Sequence, residues 1–179
     1  KILNEAIREL KSNDFKELFV EEIKQDGYYV DSCTIETDLE IFIPDTYVSD
    51  IVERLKLYKR LDSIEEDSEA EKLKFELTDR FGKIPKQTEE LFEVVKLKRL
   101  AKKHAIEKLF IKRGKMIAYF ITDKESEFFQ GEAFGKIIYH VQCYPQQCLL
   151  QESTERLTLT VSHINDIHSA VLTLQNMIK

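Results

Sequence analysis

Tryptophan is absent from this 179-residue chain, and proline, cysteine and glycine number only three, three and five. So few glycines and prolines exclude collagen-like and low-complexity classes. Cys33, Cys143 and Cys148 are an odd set without framework spacing, which argues against a disulfide-stapled secreted module and fits a reducing cytosol. No apolar run approaches the ~20 residues of a membrane span, and the first residues do not read as a signal peptide. Catalytic signatures are missing too. There is no G-x-S-x-G, no H-E-x-x-H and no dinucleotide fingerprint. Gly131–Lys136 reads G-E-A-F-G-K, but a phosphate-binding loop needs wider glycine spacing and a hydroxyl where Ile137 stands. An irregular helix start is expected there. His140, Cys143 and Cys148, with His163 and His168 beyond, match no zinc module and read as packed thiols and surface imidazoles, so no metal site is expected.

What is present suits a folded domain. Eleven Phe, seven Tyr, 42% hydrophobic and 34% charged residues supply a core and a wettable surface. A chain this long buries roughly 70% of its unfolded surface without staples.

Apolar periodicity sets the expected elements. Ile2, Leu3, Ala6, Ile7 and Leu10 recur at helical spacing, so Lys1–Lys11 reads as the end of an amphipathic helix, already under way where the sequence starts. The chain therefore reads as an excerpt of a longer protein, with a polar, ambiguous stretch over 12–26. From Cys33 to Ile43 the period is two, predicting a long half-buried strand that ends at Pro44 and a domain start near Tyr29. Asp50 and Glu53 suggest a cap for a helix burying Ile51, Leu55, Tyr58, Leu61 and Ile64. Ser68 and Glu71 suggest a capping box for a helix carrying Leu73, Leu77 and Phe81 and stopping at Gly82. Pro85 and Thr88 start a third helix that runs to about Ala105. Arg113-Gly114 marks one hairpin and Ser153-Thr154 a second, with a helix over Phe134–Val141 between them and a last helix from Ile167 to Ile178. The expected fold is α+β: a helical block followed by a small ββαββα unit whose sheet is covered by helices.

Charge is uneven. Lys96 to Lys115 holds nine basic residues and one acidic, Glu107, while the whole chain carries −6, so the remainder is strongly acidic. The basic stretch makes a nucleic-acid-binding module the alternative reading. Glu76 and Asp79 share one helix face, and Asp79 falls in the last turn, where the helix dipole disfavours an anion. A Glu76–Arg80 pair within the helix is the plain explanation of that acidic residue.

The segments Ile43-Pro44-Asp45-Thr46-Tyr47-Val48, Arg54-Leu55-Lys56-Leu57-Tyr58-Lys59-Arg60-Leu61 and Asp79-Arg80-Phe81-Gly82-Lys83-Ile84-Pro85 occur in this order. Over about Leu39 to Leu109 the chain resembles the C-terminal domain of the bacterial transcription-repair coupling factors. Pro44, Arg54, Leu55, Tyr58, Arg60, Arg80, Phe81, Gly82 and Pro85 carry the resemblance, mostly as structural positions. One departure is Ala105, where the family usually has glycine. Residues 1–28 resemble the end of the preceding translocase-lobe helix plus a linker, and 29–179 the regulatory domain.

The resemblance implies a non-catalytic, autoinhibitory domain without a cofactor of its own. The parent would be a cytoplasmic bacterial ATP-driven DNA translocase, using ATP and magnesium in motors outside this segment. It would release stalled RNA polymerase, touch DNA through those motors and recruit the excision-repair protein UvrA. The C-terminal domain, expected to be monomeric alone, would dock on a UvrB-like module and mask UvrA binding, with Glu76 and Asp79 facing arginines of that module.

Overall fold

A computed structural model describes residues 29–177, and the expectations for 1–28 lie outside the described residues. Three helices come early: α1 (Ile51–Asp62), α2 (Asp67–Phe81) and α3 (Lys86–Lys103). They follow β1 (Thr34–Thr37) and precede the hairpin of β2 (Ile106–Lys112) and β3 (Lys115–Phe120). Two short-spaced helices, α4 (Glu127–Gln130) and α5 (Glu132–Cys143), lead to β4 (Cys148–Glu152), β5 (Leu157–Ser162) and α6 (Ile167–Asn176). The sheet order is β1-β2-β3-β5-β4, parallel between β1 and β2 and antiparallel elsewhere. This is the expected α+β architecture, with one strand contributed from ahead of the helical block.

Two cores organise it. Leu97 and Ala101 of α3 pack with Leu109, Met116, Ala118, Leu159 and Val171 between sheet and helices. A second core joins α1, α2 and the start of α3 through Leu57, Leu61, Leu73, Leu77 and Phe92, with Ile43 and Val48 from the preceding loop. Helix α3 therefore belongs to both, and it joins the helical block to the sheet.

Both hairpins form where turn residues mark them. Arg113 and Gly114 take φ of 53° and 72°, the paired left-handed geometry that suits a two-residue turn between twisted strands. The break before α5 also forms as expected, with Gly131 as its N-cap and the helix beginning at Glu132.

Three local expectations are corrected. The long strand over Cys33–Ile43 shrinks to Thr34–Thr37. The burial alternation persists to Ile43, but strand pairing stops where β2 ends, and Asp38 instead accepts the Arg113 amide at 3.1 Å. The capping interaction of α2 sits two residues earlier than Ser68–Glu71: the Glu69 carboxylate accepts the Glu65 and Glu66 amides at 2.9 and 3.3 Å. In α1, Ile51 and Leu55 point to solvent, 64% and 57% exposed, while Leu57 and Leu61 are buried. The inward side of α1 is set by Leu57, Leu61 and the half-buried Arg54 and Tyr58, and Leu55 lies across the helix from it.

The departure at Ala105 also has a geometric meaning. Ala105 follows the end of α3 with φ of 55°, fully buried, in the region that glycine enters without steric cost.

Candidate functional site

The residues of the three recognisable segments build one corner of the molecule, and most of them hold it together. Pro44 accepts the Tyr47 and Val48 amides at 3.1 and 3.0 Å, folding the loop ahead of α1. Arg54 donates to the Val48 and Ser49 carbonyls at 2.6 and 3.1 Å, and the Tyr58 hydroxyl accepts the Ile43 amide at 2.8 Å. Tyr47 donates to the carbonyls of Leu77 and Gly82, and its ring meets Phe81 edge-on at 5.8 Å. Gly82 takes φ of 83° at the end of α2, and Pro85 caps α3. Leu55 has no such role; its side chain faces solvent.

Across the seam between α1 and α2 runs a ladder of charges. Arg60 grips Glu76 through its two terminal guanidinium nitrogens, at 2.9 and 2.7 Å. Arg80 reaches Glu76 at 3.0 Å and Glu53 at 2.8 Å. Hydrogen bonds from Arg60, and then from Arg80, hold the Glu76 carboxyl down to about 2. The intrahelical Glu76–Arg80 pair read from the sequence is present, but it is the smaller part of this arrangement. Asp79 differs: it is exposed on the last turn of α2, and no hydrogen bond or ion pair from the described residues reaches its carboxylate. The two carboxylates thus sit one turn apart in different electrostatic states.

Sequence reasoning missed Glu53 and Arg60 as partners of this helix, and no local spacing could have found them, because Arg60 lies sixteen residues from Glu76. It also passed over Phe75, which is 78% exposed. Here a signal existed, since a helical wheel puts Phe75 away from the Leu73–Leu77 line.

Much of the basic stretch is engaged internally. Lys98 pairs with Asp62 at 2.7 Å, Arg99 with Asp67, and Lys108 and Lys112 both with Glu36 at 2.7 and 3.4 Å. Those pairs spend the positive charge on the helical block and on β1. His140, Cys148 and His163 line one cleft, but among the described residues no three His, Cys, Asp or Glu side chains come together as a metal site. No described helix is long and apolar enough to cross a membrane.

The family model of the TRCF domain matches residues 37–130, more than half of the chain. The chain belongs to the TRCF domain family. Curated relatives agree: it is 47% identical over 76 residues to the transcription-repair-coupling factor of Rickettsia bellii, covering 42% of this chain and 7% of that protein. It is 33% identical over 116 residues to the transcription-repair-coupling factor of Bacillus subtilis, covering 63% of this chain and 10% of that one. The matched stretch of this TRCF-domain chain therefore spans about a tenth or less of these relatives' length. Among solved structures, a crystal structure of the C-terminal domain of transcription-repair coupling factor superposes with a TM-score of 0.60. It is 20% identical, covering 83% of this chain and 98% of that one, and so speaks for the fold.

Proposed function

We propose that this TRCF domain is a non-catalytic, autoinhibitory docking module with no cofactor of its own. Its acidic helix α2 rests on a basic, arginine-bearing surface of a UvrB-like module and keeps UvrA from binding there. The parent protein supplies ATP, magnesium and DNA contact through separate motors in the bacterial cytoplasm, acts on stalled RNA polymerase, and recruits nucleotide excision repair when the module is released.

The observation that carries this reading is Asp79. An anion in the last turn of a helix opposes the dipole by a few tenths of a kcal/mol up to about 1. No cation of the described residues offsets that cost. Glu76, by contrast, is already satisfied by Arg60 and Arg80, so a partner's arginine would have to compete for it. Asp79 is therefore the principal docking carboxylate and Glu76 mainly a brace that fixes α2 on α1. Tethering gives the masked state a high effective concentration, so a few breakable contacts suffice to hold it.

The test is UvrA binding by the full-length parent protein. Asp79→Ala is expected to raise UvrA binding and to leave the domain folded. Unchanged UvrA affinity in that variant rejects the docking role.

A further inference from the structure

Among the described residues, four cations are shared between an aromatic ring and a carboxylate, Lys112 among them, 5.2 Å from the centre of Phe110 and 3.4 Å from Glu36. The Arg80 guanidinium lies 4.7 Å from the centre of the Phe81 ring while it pairs with Glu53 and Glu76. Lys74 sits 5.3 Å from the centre of Phe92 and pairs with Glu71 at 2.8 Å. Lys108 sits 4.4 Å from the centre of Phe110 and pairs with Glu36 at 2.7 Å.

Phe75 and Asp79 repeat two of these three parts. They stand four residues apart on α2, which puts them side by side on one face, about 5–6 Å apart at their Cβ atoms. Phe75 is 78% exposed and Asp79 is exposed, and no cation from the described residues reaches either one. We infer that Phe75 and Asp79 together seat one arginine of a basic partner surface, the ring stacking on the guanidinium that the carboxylate holds.

Charge supports the occupant. Helix α2 carries Asp67, Glu69, Glu71, Glu76 and Asp79 against Lys72, Lys74 and Arg80, and the whole chain is −6. Arginine fits better than lysine because its flat, weakly hydrated guanidinium stacks on a ring and meets a carboxylate with two parallel donors. Arginine is also among the side chains in which binding energy concentrates at interfaces. The inference rests on the docking reading above and extends it by naming the aromatic half of the seat.

Two probes separate this inference from that reading, both used with the full 179-residue chain. The first compares a hexa-arginine peptide with a hexa-lysine peptide. The chain is expected to prefer arginine, and Phe75→Ala or Phe75→Leu to abolish the preference; equal binding of both peptides, or a Phe75→Leu variant that behaves as wild type, overturns the seat. The second probe is the purified UvrB-like module. Phe75→Ala and Asp79→Ala are each expected to weaken binding about tenfold, and the double variant little further, because both groups hold one guanidinium. Wild-type chain that ignores the module but prefers arginine peptide defeats the docking reading alone and supports the seat. Module binding that survives Phe75→Ala, or losses that simply multiply in the double variant, overturns the seat and leaves the docking reading standing. Circular dichroism of each variant checks folding, and neither side chain is buried.

Discussion

Arg60 and Glu76 join α1 to α2 through two parallel N–H to oxygen contacts of 2.9 and 2.7 Å. Both side chains keep water access, at 50% and 35% exposure, so solvent screening limits what the pair contributes to about 1 kcal/mol. The bidentate geometry and the second contact to Arg80 lift it above an isolated surface pair.

That arrangement fixes the sign of a pH effect. The Glu76 carboxyl ionises near about 2 in the folded chain, against an ordinary value of 4.5. A depressed folded pKa means the contribution is complete above about pH 5 and is lost as pH falls from there toward 2. Urea unfolding of wild type and Glu76→Gln at pH 7 and pH 3 is expected to show a gap of about 1 kcal/mol that shrinks at the lower pH. A gap that is constant with pH would mean that Glu76 acts through packing.

Asp79→Ala supplies the contrast. Nothing among the described residues holds Asp79, and removing an anion from the last turn relieves the dipole. The substitution is expected to leave stability within about 0.5 kcal/mol of wild type, on the stabilising side. A clearly destabilised variant, measured by the same unfolding experiment, would show that Asp79 braces the fold as Glu76 does.

Tyr58→Phe addresses a partly buried contact that ties the loop before α1 to the helix. The Tyr58 hydroxyl accepts the amide of Ile43, a residue only 3% exposed. Losing the oxygen strands that amide, which costs about 1–3 kcal/mol. Thermal unfolding should move down accordingly, and an unchanged midpoint would mean that water reaches the Ile43 amide.

Thiol chemistry follows burial. Cys33 is buried and desolvation pushes its thiol to about 12, while buried Cys148 is raised for the same reason. Cys143 is exposed. A disulfide reagent at pH 8 is expected to titrate one thiol quickly in the native chain and all three after unfolding. Fast reaction at two or three sites would contradict the packing around Cys33 and Cys148.

How much of this could be read from residues alone depends on the distance over which each feature is decided. The Arg113-Gly114 turn was legible because two adjacent residues with positive φ determine it. Gly82 marked the end of α2 for the same reason. Periodicity places Leu61 and Ile64 inward correctly but misplaces Ile51 and Leu55, because apolar residues occupy more than one side of α1 and only packing on α2 and α3 selects Leu57 in their stead. The strand over 33–43 was overextended because alternation reports burial, while pairing depends on where β2 stops. Glu76 and Asp79 looked equivalent by spacing; Arg60, brought in from another helix, makes them different.

Ala105 offers the sharpest check on local geometry. Its φ of 55° places a side-chain-bearing residue in the left-handed region, at a cost of about 1–2 kcal/mol relative to glycine. Its methyl is fully buried, and deleting it forfeits about 0.8 kcal/mol. The two effects oppose each other, so Ala105→Gly is expected to be neutral or stabilising by about 0.5 kcal/mol. Ala101 sits one turn earlier, equally buried but inside α3, where its backbone is ordinary helix. There the lost methyl and the lower helix propensity of glycine add, and Ala101→Gly is expected to cost about 2 kcal/mol. Urea unfolding of the two variants side by side decides the matter. Equal losses would mean that the chain leaves α3 without the left-handed step at Ala105.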